Sequence, residues 1–481
     1  MLARRVGPLV SSPGLKAALA QVNGVLLFQE GRPAEAAQAM FDGAASLACD
    51  DGGATEAMMA RGVLGLWLNA ADLQTALAHP DAALTPLAGQ VLRFTRALRR
   101  LQDGMSTALE LPASPSVGRC PPGDPFWVNL VLFDLVRGDL RGARDRAAGL
   151  VAEHRQTGLA SRLAHALTFL AFVQGALGER HDAKASAVEG LQISADTGLT
   201  GWSVILAGVA GWVAAMTGDE QACRAYAGDA RTRAAGAWST PAVFADWALA
   251  RLDVGLGRYQ GALDRLQALV DGPARHHVLQ LYACADHVEA AVRAGRPELA
   301  AGPLARLTAW AQAAGQPWVT AVAARCAALA VHGDHAETLY LRAVAAHEAG
   351  DPPFERARTS LAYREWLRRH QRRADARERL FAAAAGFARL GARPWQERTE
   401  AGLRAVGAAA PALAADDPLA RLTAQELQVV RLAAAGASNK QIGAALFLSP
   451  RTVGYHLYKA FPKLGVTSRE ELSRYALCAV D

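Results

Sequence analysis

Between Leu427 and Arg469 the chain carries no acidic side chain, while Arg431, Lys440, Arg451, Lys459, Lys463 and Arg469 are all cationic. Lysine is rare elsewhere: Lys16 and Lys184 are the only others, so three of the five fall in this block. Such a block suits the neutralisation of nucleic-acid phosphates, where each contact releases counterions and makes affinity fall with salt. Its bland alternative is an ordinary solvated basic surface. Within the block, Arg451, Gly454, Tyr455, Tyr458 and Lys459 recur at helical spacing on one face. Arginine can donate to guanine bidentately, a tyrosine hydroxyl can bond a base or a phosphate, and glycine lets a backbone approach a groove closely. No catalytic motif competes with this chemistry. There is no GxSxG or HExxH, and His332 with His335, or His276 with His277, lack further ligands nearby. The chain therefore reads as a non-enzyme without metal or cofactor.

The elements that must hold these residues are short capped helices. Thr423 with Glu426 and Ser438 with Gln441 form capping boxes, Ser449 with Pro450 opens a third helix, and Ser468 with Glu471 opens a fourth. Only Phe447 and Leu448 separate the second helix from the third, which forces a sharp turn and a helix-turn-helix arrangement. On the third helix Val453, Leu457, Ala460 and Leu464 share the face opposite the polar residues and must be core. Pro462 removes a backbone donor near its end, which predicts a kink before Gly465 closes the helix.

Upstream, a turn recurs at Gly138-Asp139, Gly178-Glu179, Gly218-Asp219, Gly257-Arg258, Gly295-Arg296 and Gly333-Asp334, the glycines 40, 40, 39, 38 and 38 residues apart. Weaker members are Gly31-Arg32-Pro33, Asn69 and Asp103-Gly104 before the series and His370-Gln371 after it. Each turn separates an apolar helical pattern from one with small residues on a stripe, as in Ala143, Ala147 and Ala148, or Ala262, Leu263, Leu266 and Leu269. A unit of this kind cannot bury its apolar face alone, so the pairs must stack into a superhelix with a concave surface. Strand signals are nearly absent. Two breaks interrupt the array: the five-proline stretch from Leu111 to Pro125, and Gly407 to Pro418, whose composition suits a linker. The arginines from Arg364 to Arg379 read as solvated helix faces, paired with Glu355, Glu365, Asp375 and Glu378 at three- and four-residue spacing.

Bulk properties add little. Fifty-one basic against forty-five acidic residues leave a net charge of only +6, too weak an imbalance to argue for nucleic acid. The six scattered cysteines form no CxxC pair, and no signal-peptide pattern follows Arg4-Arg5, so a reducing cytoplasm is expected. The uncharged run from Thr197 to Gly218 is long enough to cross a bilayer, but its four glycines and its phase with the repeat make it a buried array helix.

The segment from Leu422 to Leu472 resembles the LuxR-type helix-turn-helix at Leu422, Thr423, Glu426, Gly436, Ser438, Asn439, Ile442, Leu446, Ser449, Thr452, Val453, His456, Lys463, Leu464, Gly465, Val466 and Arg469. The resemblance implies base reading by Gly454, Tyr455 and Tyr458, and phosphate contacts around Ser438, Asn439, Lys440, Thr452 and Lys463. Arg451, His456, Lys459 and Arg469 complete the candidate DNA-binding set. Glu426 reads instead as a cap and salt-bridge residue, while Asn439 and His456 stay open between structural and DNA-facing roles. Gln425, Gly443 and Pro462 depart from the family pattern, which weakens Tyr458 and Lys459 most. The array resembles tetratricopeptide repeats, and Phe354 to Gly407 resembles the segment before the DNA-binding domain of large LuxR-family regulators. Those regulators carry a nucleotide-binding module, yet no lysine here follows glycine, so no GxxxxGK[ST] loop exists.

The expected fold is all-α: a right-handed superhelix of about ten tetratricopeptide-like helix pairs over residues 1–406, a linker at 407–417, and a four-helix LuxR-type domain at 418–481. The expected function is transcription regulation, with promoter DNA as partner and a homodimer as assembly. RNA polymerase and a protein or small-molecule effector on the repeat surface are further partners, and no membrane is involved. The alternative is a repeat scaffold whose C-terminal helices mediate dimerisation or protein contacts.

Overall fold

The computed structural model describes residues 11–30, 32–47, 86–105, 126–234, 239–272, 274–275, 277–331, 333, 335–348, 352–372, 382–404, 418–446 and 448–475. Among the described residues every regular element is a helix. The array comprises α1 (Pro13–Gln29), α2 (Pro33–Leu47), α3 (Pro86–Gln102), α4 (Phe126–Val136), α5 (Leu140–Thr157), α6 (Ala160–Ala176), α7 (Arg180–Thr197), α8 (Thr200–Thr217), α9 (Glu220–Arg233), α10 (Ser239–Gly255), α11 (Tyr259–Asp271), α12 (Gln280–Arg293), α13 (Ala301–Ala314), α14 (Pro317–Ala330), α15 (His335–His347), α16 (Pro353–Arg369), α17 (382–389) and α18 (Arg393–Arg404). The C-terminal domain holds α19 (Ala424–Ala434), α20 (Asn439–Leu446) and α21 (Pro450–Leu464), with 3-10 turns at Pro418–Arg421 and Glu470–Tyr475. The proline-rich stretch, the linker at 407–417 and the weak turns at Gly31 and Asn69 lie outside the described residues.

The glycine series does what its spacing predicts. Gly138, Gly178, Gly218, Gly257, Gly295 and Gly333 all take φ between 71° and 83°, the left-handed region that ends a helix without a Cβ penalty. Asp139 and Asp219 then cap the next helix by accepting from the amides of Gly142 and Ala222. At the last member Gln371 adopts φ 63° without being glycine. From α4 to α16 each helix packs on its successor, and α6, α8, α10, α12, α14 and α16 stack on one another along the array. Of the two small-residue stripes, Ala143, Ala147, Ala262, Leu263, Leu266 and Leu269 are buried, whereas Ala148 is exposed. The uncharged helix α8 is long and apolar enough to cross a membrane, but 78% of it is buried inside the protein.

The inner surface is filled instead of forming an open groove. Phe133, Phe172, Trp212, Trp247, Tyr282, Trp318 and Phe354 recur 39, 40, 35, 35, 36 and 36 residues apart, one per helix pair. From Phe172 to Trp318 successive rings touch, with centroids 5.0, 5.3, 6.5 and 6.0 Å apart. Tyr282, Trp310 and Trp318 donate to the carbonyls of Leu135, Val136 and Gly138 at 2.8, 2.6 and 2.7 Å, so the array closes across itself onto the open end of α4. The turns at Gly178 and Gly218 abut Pro353 with Leu390, and Pro394, in the last helices.

Beside the rings runs a buried ionic cluster. Asp286 is fully buried and accepts from Trp247 Nε1 at 2.7 Å and Arg251 Nε at 3.0 Å, with Arg358 Nη1 at 2.8 Å. Glu355 meets Arg325 at 2.7 Å, and Glu289 meets Arg358 at 2.7 Å and Arg398 at 3.1 Å. Burial alone would raise the Glu355 carboxyl, but Arg358, Arg325 and Arg251 outweigh it and hold it down to about 2. Of the expected solvated arginine face, Arg368, Arg369 and Arg372 are exposed, but Arg364 and the partners of Glu365 depart from it. Arg364 is buried and donates to the Gly402 carbonyl at 2.7 Å, while Glu365 pairs with Arg398 and Arg293 from other helices. Arg373, Arg377 and Arg379 lie outside the described residues.

Candidate nucleic-acid interface

The C-terminal domain has its own core, in which Val429, Val430 and Ala433 of α19 meet Ile442 and Leu446 of α20 and Val453, Leu457, Ala460 and Leu464 of α21. Its helix starts are made as their residue types dictate. Thr423 and Glu426 form the reciprocal capping box, Ser438 and Gln441 exchange the same pair of bonds, and Ser449 Oγ accepts from the Thr452 amide with Pro450 following. The fourth start differs: Glu471 reaches back to Thr467, one residue before Ser468, and a 3-10 helix follows. The turn between α20 and α21 needs Gly443, where a Cβ would stand 2.5 Å from the Leu448 carbonyl oxygen. Helix α21 continues through Pro462 to Leu464 and closes at Gly465 with φ 64°.

With its apolar stripe buried, α21 turns Arg451, Tyr455, Tyr458 and Lys459 to solvent, Tyr455 57% and Tyr458 73% exposed. The Lys459 ammonium lies 5.6 Å from the Tyr455 ring centroid, and the half-buried His456 ring touches the edge of Tyr455. Ser438 and Lys440 are exposed at the start of α20, while Thr452 and Gly454 are half-buried. Gly454 faces the Asn439 side chain, whose Nδ2 would lie 3.6 Å from a Cβ there.

Arg469, Asn439 and Lys463 are held by side chains of other elements. Arg469 Nη1 donates to Asn439 Oδ1 at 2.8 Å and Nη2 to the Ala437 carbonyl, which ties the start of α20 to the segment after α21. Lys463 donates to both carboxylate oxygens of Glu426, at 2.6 and 2.8 Å. Burial would raise the Glu426 carboxyl, yet Lys463 and the Thr423 amide hold it below its ordinary value.

Arg431, part of the basic block, is turned away from α21. It pairs with Asp182 of α7 through Nε at 2.9 Å and Nη2 at 2.6 Å. Gln428 beside it donates to Glu189 and to the Ala185 carbonyl, and Glu189 also receives Arg155 at 2.6 Å. Helix α19 thus docks on α7, and α20 touches α5, while the exposed face of α21 stays open. Sequence reading missed this contact because Asp182 and Arg431 are 249 residues apart.

Residues 420–476 match the family described as bacterial regulatory proteins, luxR family. A Mycobacterium bovis protein bearing the name HTH-type transcriptional regulator is 53% identical over 51 residues, 11% of this chain and 6% of that protein. A nitrate/nitrite response regulator protein homolog of Haemophilus influenzae is 50% identical over 54 residues, 11% of this chain and 26% of that one. The oxygen regulatory protein NreC of Staphylococcus aureus is 43% identical over 61 residues, 13% and 28% of the two chains. The chain therefore spans less than a third of the length of each of these relatives.

Proposed function

We propose that this chain, whose C-terminal domain is a LuxR-type helix-turn-helix domain, is a sequence-specific regulator of transcription that binds promoter DNA through the exposed face of α21. The observation carrying this reading is that α21 spends its apolar stripe on the core and leaves two tyrosines, an arginine and a lysine in water on a face that no other element covers among the described residues. A helix of that composition suits a major groove. Gly454, Tyr455 and Tyr458 read bases, with Arg451, His456 and Lys459 at the groove edges. Ser438, Asn439, Lys440, Thr452, Lys463 and Arg469 serve the phosphates. Lys463 and Arg469 differ in kind: Lys463 spends two of its donors on Glu426 and keeps a third, and Arg469 holds Asn439 by its Oδ1, which leaves the amide N–H group beside Gly454 able to donate.

In this reading the array over residues 1–406 receives a protein or small-molecule signal, 407–417 links it to the DNA-binding unit, and the active form is a cytoplasmic homodimer that meets RNA polymerase at the promoter. Support for two units comes from their separate cores. Selection of bound fragments from genomic DNA with the full-length protein tests the proposal. A shared motif should emerge, and Tyr455→Ala should change it. Recovery of random fragments by both proteins would remove the specific reading.

A further inference from the structure

We propose that the groove between the end of α3 and the start of α13 binds a small anion, carboxylate or phosphate ester, that carries a hydroxyl or amide beside its charge. About 660 Å³ of atom-free space, mouth included, lies there between Gln102, Asp103 and Gly104 on one side and Arg275, Gly302 and Arg306 on the other. Two observations independent of its shape point to an anionic occupant.

The first is charge. Arg306 is half-buried and Arg275 exposed, and neither has a hydrogen-bond or ion-pair partner among the described residues. Several arginines elsewhere in this array are neutralised: Arg155 by Glu189, Arg293 by Glu365, and Arg398 by Glu289. Among the described lining residues the one carboxylate, Asp103, is engaged by Arg99 at 3.1 Å. Two guanidinium forks facing one cavity match an oxyanion, because each can donate two parallel N–H bonds to a carboxylate or a phosphate.

The second is Gln102. It is only 3% exposed, lines the cavity, and neither its Nε2 nor its Oε1 has a partner. A buried amide left unpaired is costly, and most such groups in proteins are satisfied. A ligand with an acceptor and a donor next to its charge satisfies both atoms. Sulfate, which carries no donor, engages the arginines and leaves half of the amide unmet, so the site discriminates among anions. The backbone keeps the space open: Gly104 sits at φ 70° with its Cβ position 3.3 Å from Ala305 Cβ, so the turn runs against α13 without a side chain to fill the groove.

This proposal rests on the reading of the array as a receiver of signals, but its test reads binding heat without DNA, so either idea can fail alone. Full-length protein is titrated calorimetrically with sulfate, glucose 6-phosphate, malate and N-acetylglutamate, with glycerol as the neutral control. At least one hydroxyl- or amide-bearing anion should bind more tightly than sulfate, and the phosphate-ester and carboxylate arms identify the source. Arg306→Ala and Arg275→Ala should each weaken binding about tenfold or more, the loss of one charge-assisted fork. Their melting curves should match the parent, since neither side chain has a partner to lose. Gln102→Leu should erase the preference over sulfate and leave sulfate binding itself in place. No heat from any anion at millimolar concentration, or unchanged affinity in both arginine variants, would overturn the assignment.

Discussion

Gly198→Ala and Gly218→Ala, made separately, divide two costs that the array otherwise pays together. Both glycines end a helix at nearly the same left-handed φ, 70° and 73°. An alanine there costs about 1–2 kcal/mol in backbone strain whatever surrounds it. Around Gly198 a new Cβ meets nothing within 4 Å, so strain is the whole effect. Around Gly218 the same Cβ would stand 2.5 Å from both Cδ and Cγ of Pro394, in a rigid ring that cannot rotate away. Overpacking of that kind adds about 1–3 kcal/mol. Gly218→Ala should therefore destabilise the protein by about 2–5 kcal/mol in total, and Gly198→Ala by about 1–2 kcal/mol. Urea denaturation followed by tryptophan fluorescence reads the difference directly, because Trp212 and Trp395 flank the contact on α8 and α18. Equal shifts in the two variants would refute the closure of the turn row onto the last helices.

Asp286→Ala removes the acceptor shared by Trp247 and Arg251 and leaves two buried guanidiniums short of charge, so a loss of about 3–5 kcal/mol is expected in the same urea assay. Stability should also fall with acid in two steps. Burial, with Arg306 adding to it, pushes His287 down to about 4, so its contribution is complete above the unfolded value of roughly 6.5 and fades as pH drops toward 4. Glu355, held at about 2, contributes fully above the unfolded value of roughly 4.3 and loses that contribution as pH falls through 2; a urea midpoint that is flat between neutrality and pH 4 would contradict the first step. Asp182→Asn should loosen the docking of α19 by about 2 kcal/mol, seen as faster amide exchange on facing parts of α7 and α19, with the core of α21 unchanged.

Local rules carried the sequence reading far. The glycine turns, the capping boxes and the buried stripe of α21 all follow from residues within four positions of one another, and each is present in the structure. The aromatic ladder was visible in the same sequence, one ring per helix pair, but rings of three residue types at uneven spacing do not announce a repeat. The arginine segment misled for a clear reason. Three- and four-residue spacing suggested pairs along one helix, whereas Glu365 finds its partners on α12 and α18. Arg431 shows the same limit: counted with the basic block by position, it is spent on Asp182. Contacts made across the closed array, such as Trp318 to Gly138, depend on how many pairs complete a turn, and no local pattern states that number.

The central claim is that the open face of α21 engages DNA phosphates and bases. It is tested most directly by titrating the full-length protein with a genomically selected duplex over a range of salt concentrations, beside Lys440→Ala. Log affinity should fall linearly with log salt, by about 0.9 for each phosphate contact, and the variant should bind more weakly on every duplex with a slope shallower by about one contact. Binding that ignores salt, or a Lys440→Ala slope identical to the parent's, would contradict the account.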